Sequence, residues 1–176
     1  MFSLHATKKL LDRVKAQVEP VVSEPTTALG NWYGTVLFWR PQVALLVNEQ
    51  TLYPVLMPLA PAATLMDRFP DALGQSLKAH GVPEDFIEGE TAETSEGRYA
   101  KTESRSLLGI MNEFSYLAEA HPASRGEEDL VTLALRLSET PCGPLYKRHG
   151  SPDRELQAAV DAWFEQQDER RSESHS

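Results

Sequence analysis

Apolar and polar residues alternate in Phe2-Ser-Leu-His-Ala, and this two-residue period predicts a short strand. The period then lengthens. Leu10, Leu11, Val14 and Val18 fall on one side of a helix, and Thr7 stands where its hydroxyl can cap the first turn. Residues 19–27 are punctuated by Pro20 and Pro25 and predict an exposed connector. Three runs rich in β-branched and aromatic residues follow: Trp32–Trp39, Gln42–Val47 and Thr51–Met57. The links between them, Arg40-Pro41 and Asn48-Glu49-Gln50, are too short for a crossover, so the runs are predicted to pair as an antiparallel meander. Val43–Val47 is apolar throughout, which suggests a strand covered on both faces.

Helical spacing returns after Pro61 in Leu65, Met66, Phe69, Leu73 and Leu77, with Gly81 as the stop. Pro70 interrupts this stretch and predicts a kink or two helices in series. Residues 83–94 predict a further helix, weakened by Gly89 and the hydroxyl residues, and 98–102 a returning strand. Ser106 opens a helix with Leu107, Ile110, Met111, Phe114 and Leu117 facing inward. Residues 127–139 predict another, with acids in the first turn and Leu130, Leu133, Ala134 and Leu137 on its stripe. Ser151-Pro152 starts the last helix, which buries Leu156, Val160, Trp163 and Phe164.

The fold class that follows is α+β. Residues 1–166 form a single domain, a mostly antiparallel sheet of four or five strands with five or six packed helices, and 167–176 form a frayed polar tail. Its core is predicted to hold Leu4, Leu11, Val14, Val36, Phe38, Ala44, Leu46, Leu56, Leu73, Leu77, Ile110, Phe114, Leu133, Leu137 and Val160.

Composition agrees: 41% hydrophobic and 24% charged residues are the balance of an ordinary globular chain. The long apolar stretch 36–63 is broken by Arg40, Pro41, Asn48, Glu49, Gln50, Pro54 and Pro58, so no membrane span is expected. The start lacks the long apolar core of a secretion signal, and Cys142, the one cysteine, has no internal disulfide partner, so the expected setting is the cytoplasm. Charge changes the picture more. Seventeen Lys and Arg stand against 26 Asp and Glu, a net charge of −9. Six of the acids lie within 84–96, so the rest of the chain carries −3. Nucleic-acid binding requires cations to replace phosphate counterions, and it is not expected without a local basic patch at Lys8-Lys9 or Lys147-Arg148-His149.

Several segments are distinctive together: the Thr-Lys-Lys-Leu-Leu start, Gly30-Asn-Trp-Tyr, Phe38 to Pro58, Arg105-Ser-Leu-Leu-Gly-Ile-Met-Asn-Glu-Phe, and Glu139-Thr-Pro-Cys-Gly-Pro-Leu with Ser151-Pro-Asp-Arg. In these the chain resembles a bacterial domain-of-unknown-function family over nearly its whole length. The resemblance implies one intact bacterial domain and supplies no activity, cofactor or catalytic residue.

The chemical signatures with the firmest physical basis are missing from the sequence. There is no Walker A loop, no Gly-x-Gly-x-x-Gly, no Gly-x-Ser-x-Gly and no His pair at metal-ligand spacing, so no cofactor and no metal are expected. Cys142 is a candidate nucleophile if His149, Lys147 or Arg148 lowers its pKa; otherwise it is a small packed residue between Pro141 and Pro144. Arg105, Asn112 and Tyr116 share a helix face opposite the apolar stripe, with Gly109 beside them. They could hold an anion or simply pair with neighbours. Trp32 and Tyr33 offer either a stacking surface or core. The loop 140–151 is stiffened by its prolines and is expected to present Tyr146 and Lys147.

Two functions remain open. One is a non-catalytic binding or regulatory module with a protein partner. The other is a small enzyme for a phosphorylated or nucleotide-like substrate, which requires Lys8, Arg105, Asn112, Tyr146 and Lys147 to converge on one pocket.

Overall fold

The computed structural model describes residues 1–175. Its centre is a five-stranded mixed sheet in the order β4-β3-β2-β1-β5. The strands are β1 (Phe2–Ala6), β2 (Trp32–Leu37), β3 (Val43–Asn48), β4 (Pro54–Pro58) and β5 (Gly97–Lys101). The predicted meander is present: β2 pairs with β3 and β3 with β4, both antiparallel, through Gly34↔Leu46 and Leu45↔Leu56. β1 is parallel to both of its neighbours, with His5 opposite Tyr33 on β2 and Ala100 on β5. The antiparallel ladders hold most of the registered pairs.

Six α-helices cover the sheet: α1 (Lys8–Val14), α2 (Leu65–Ala79), α3 (Glu84–Glu93), α4 (Arg105–Glu119), α5 (Leu130–Ser138) and α6 (Pro152–Ser174). Every residue of β1, β2 and β3 is buried, because helices lie on both faces. On one face Phe2, Leu4, Trp32, Val36, Ala44, Leu46, Val55 and Met57 pack beneath α1, α2, α3 and α6. On the other, Tyr33, Leu37, Val43, Leu45, Val47 and Leu56 pack beneath α4 and α5. Each fully buried large apolar side chain contributes about 1.5–3 kcal/mol. Gly34 lets α1 approach β2, since a Cβ there would sit 3.0 Å from Leu10 Cδ2 and 3.2 Å from Leu4 Cδ1.

Local chemistry sets the helix ends. Thr7 Oγ1 accepts from Leu10 N–H at α1, and Lys15 closes that helix with φ 54°. The structure moves several expected boundaries. α4 starts at Arg105 because Ser104, not Ser106, caps it through Leu107 N–H. α5 starts at Leu130 with Asp129 as cap, so Glu127 and Glu128 precede the helix. Pro70 lies inside the single helix α2, behind a short 3-10 turn at Ala62–Thr64. Ser151 precedes α6 as expected, but its hydroxyl bonds Asp153 and caps no backbone N–H. Residues 167–174, predicted to fray, continue α6 as helix.

The predicted core is buried with two exceptions. Leu11 is half-buried, and Phe38 is 52% exposed. Phe38 lies one residue past the end of β2, beyond the last registered strand pair.

Candidate functional site

Because β1, β2 and β5 are parallel, their carboxyl ends share one edge of the sheet. β1 leads into α1 on one face, while β5 leads into α4 on the other. Helices that leave neighbouring parallel strands on opposite faces open a crevice at those carboxyl ends, the usual ligand position in sheets of this kind. The sequence places six cations there: Lys8, Lys9 and Arg13 on α1, Arg40 after β2, Lys101 at the end of β5 and Arg105 at the start of α4. None of the six forms an ion pair among the described residues. Asp12 and Glu103 are the acids within the same segments.

Phe38 stands exposed beside the cations of α1. Lys9 Nζ lies 5.9 Å and Arg13 Cζ 5.4 Å from its ring centre, within range of cation–π attraction. The ground beneath is rigid. His5 and Tyr33, both 2% exposed, stack at 4.4 Å with 13° between the rings. His5 Nδ1 donates to the Lys101 carbonyl at 2.7 Å, Ser104 N–H donates to the Tyr33 hydroxyl at 3.2 Å, and Thr7 Oγ1 donates to Thr35 Oγ1 at 3.1 Å. Burial raises the Tyr33 pKa, so the phenol stays protonated and its oxygen accepts from Ser104. At the same edge, beside the β2–β3 turn, an apolar cleft of about 310 Å³ opens between Trp39, Pro41, Val43, Pro58, Ala123 and Leu130.

Of the residues singled out in the sequence, Lys8 and Arg105 meet this edge. Asn112 and Tyr116 lie farther along the exposed side of α4, and Tyr116 is eleven residues, or about 16 Å of helix, from Arg105. Tyr146 and Lys147 are exposed in the loop before α6. That loop is anchored to the opposite edge: Arg148 Nη1 donates to the carbonyl of Gln50, in the β3–β4 turn at the amino ends of the parallel strands. The five side chains required for a phosphate pocket therefore do not converge. Trp32 and Tyr33 offer no contact surface, being 0% and 2% exposed. Trp32 packs edge-on against Phe69 at 5.1 Å, and its Nε1 is buried without an acceptor.

Cys142 is buried, and burial pushes its thiol up to about 11, helped by the nearby charge of Glu113. That is the reverse of an activated nucleophile. His149, the base that would serve it, bonds Glu155 instead at 2.8 Å. No group of three or more His, Cys, Asp or Glu able to hold a metal occurs among the described residues. Among the described residues no helix is long and apolar enough to cross a membrane.

A protein-family profile matches residues 3–155, which is most of the chain. The chain belongs to the family described as Domain of unknown function (DUF6933). No curated protein and no solved structure matches it. The DUF6933 match contains the whole carboxyl-end edge and the Trp39 cleft. Two hollows of about 470 and 460 Å³ flank Trp163, each with one wall from α6 between Ala159 and Arg171, beyond the matched residues, and the other wall from within them.

Three polar residues that sequence reasoning passed over organise the DUF6933 domain: Asn48, Glu155 and Glu90. Glu90 is 2% exposed and accepts from Ala28 N–H at 2.7 Å and Leu29 N–H at 2.8 Å, pinning the connector before β2. Burial raises its pKa from 4.5 to about 7, against the pull of those two N–H groups. The folded chain then holds the proton more tightly than the unfolded one. The stability from this group is fully present below pH 4.5 and is lost as pH rises through 7, on the order of 3 kcal/mol in all. Thermal melts of Glu90→Gln beside the natural chain should show the natural chain losing several degrees of relative stability between pH 5 and pH 8. A gap that does not change with pH would show that Glu90 is ionised throughout.

Proposed function

We propose that this domain is a binding module without catalysis of its own, and that its carboxyl-end edge docks an acidic segment of a partner protein. The observation that carries the reading is Phe38, exposed between Lys9 and Arg13, neither of which has an ion pair among the described residues, on a chain whose net charge is −9. An exposed aromatic flanked by cations combines contact area with charge complementarity, as interface anchors do. The separate placement of Lys8, Arg105, Asn112, Tyr146 and Lys147 and the raised thiol of Cys142 both favour binding over chemistry. The cations are confined to one edge of a chain of net charge −9, which suits a short acidic segment better than the long run of phosphates of a nucleic acid.

Fluorescence anisotropy with a labelled poly-glutamate peptide tests this at low salt. The natural chain should bind, and the affinity should fall steeply with added salt. Lys9→Glu with Arg13→Glu should weaken binding at least tenfold while leaving the melting temperature nearly unchanged, because these are exposed side chains. No binding by the natural chain, or tighter binding of a labelled single-stranded oligonucleotide, would overturn the proposal.

A further inference from the structure

The cleft beside the β2–β3 turn lies across the sheet from Phe38. Along β2 side chains alternate, so Trp32 and Val36 face α1 while Tyr33 and Leu37 face α4. Trp39 packs with the second group, whereas Phe38 meets the cations of α1. The cleft is therefore a separate feature of the same edge.

Its volume of about 310 Å³ is at the small end of the range for ligand pockets. Trp39, Pro41, Val43, Pro58 and Leu130 make its walls apolar. The polar groups around it are mostly committed. Glu128 Oε2 is 3.2 Å from His121 Nε2. Asp129 Oδ1 accepts from Thr132 N–H at 2.7 Å, and Ser124 Oγ donates to the His121 carbonyl at 2.8 Å. Two residues keep uncommitted side-chain donors: Arg40 and Gln42, neither of which has a side-chain hydrogen bond or ion pair among the described residues. A guanidinium is a planar fork of donors matched to a carboxylate.

We propose that this cleft is a small-molecule site for an apolar carboxylate, whose hydrocarbon body fills the space beside Trp39 while Arg40, with Gln42, receives the anionic head. An amine of the same shape would meet the like charge of Arg40, with Glu128 held at His121 and one Asp129 oxygen at the Thr132 N–H. A neutral amide would keep the apolar contacts and lose the ion pair.

The probes are 4-phenylbutanoate, its amide and the matching amine, titrated into the full chain and followed by amide and indole NMR shifts. The carboxylate should shift the Trp39 indole and the Val43 and Leu130 amides, and bind at least fivefold tighter than either analogue. Arg40→Gln should bring the carboxylate down to the amide's affinity while leaving the amide unchanged. Ala123→Phe, which fills the cleft, should abolish binding of all three. If that variant does not fold, the shift map of the natural chain decides the location. Lys9→Glu with Arg13→Glu should leave this binding intact, which separates it from the docking of an acidic partner. Shifts confined to other parts of the chain, an amine that binds as tightly as the carboxylate, or a preference that survives Arg40→Gln would each overturn the proposal.

Discussion

Replacing Asn48 by leucine is expected to lower the stability of the domain by about 3–5 kcal/mol, and its Tm by roughly 10 °C. The side chain is fully buried at the end of β3. Its amide nitrogen donates to the carbonyl of Leu29 at 2.8 Å and reaches that of Asn31 at 3.4 Å. Its oxygen accepts from Gln50 N–H at 3.1 Å, Thr51 N–H at 2.9 Å and Thr51 Oγ1 at 2.9 Å. One amide thus ties the β3–β4 turn to the connector that enters β2. Leucine keeps the volume and satisfies none of these groups, and each buried orphan costs about 1–3 kcal/mol. Asn48→Asp should be nearly as harmful, because a carboxylate cannot donate to Leu29 and would face its carbonyl oxygen. Urea titration measures both. A loss below about 1 kcal/mol for either variant would mean that water replaces the network at little cost.

Asn48 also shows where the sequence stops being legible. In a one-dimensional reading it belongs to the short polar link Asn48-Glu49-Gln50, and links of that kind are expected on the surface. Only the strand order shows that the segment at 29–31 runs past it. The same holds for Glu90 and Glu155. Each sits in a polar stretch of its helix, and the partner that buries it comes from 61–62 residues away in one case and from the preceding loop in the other. What was legible depended on periodicity. The meander, the unbroken burial of β3 and the inward stripes of α2, α4, α5 and α6 follow from spacing, since burial on one or two faces leaves a repeating mark; Leu117, expected on the α4 stripe, is the exception and stands exposed near the end of that helix.

Phe38 marks the limit of that method. By alternation it continues the face of Val36, and a phenylalanine in a β run is normally core. The β2–β3 pairing stops at Leu37, however, and the ring emerges where Lys9 and Arg13 flank it. The loss of strand pairing is invisible in composition, yet it turns a core residue into the main exposed aromatic of the candidate site. The cation cluster was illegible for the same reason. Lys8 and Lys9 are adjacent in sequence, but Arg40, Lys101 and Arg105 join them only because β1, β2 and β5 point the same way. Parallel pairing is set by long connections, and those carry no local pattern.

The second large effect concerns an exposed residue that should matter more than the buried one it serves. Glu155 is 1% exposed at the start of α6, and it accepts from His149 N–H and His149 Nδ1, both at 2.8 Å. Arg148, half exposed, places Nη2 2.7 Å from Glu155 Oε2, and that oxygen has no hydrogen bond. The guanidinium is therefore the countercharge for a carboxylate oxygen that solvent does not reach. Removing one partner of a buried pair leaves the other uncompensated, at about 3–5 kcal/mol. The half-exposed arginine puts Arg148→Ala at the lower end, about 3 kcal/mol. Glu155→Gln takes away the buried charge itself and leaves Arg148 free to hydrate, so it should cost only about 1–2 kcal/mol, the loss of charge assistance to the bonds it makes with His149. Adding Glu155→Gln to Arg148→Ala should then recover stability, bringing the double variant back to the cost of Glu155→Gln alone and giving a double-mutant cycle with a coupling of roughly 3 kcal/mol. If Arg148→Ala alone costs less than about 0.5 kcal/mol, the contact behaves as an ordinary surface ion pair, and the anchoring of the loop must rest on the His149 N–H bond instead.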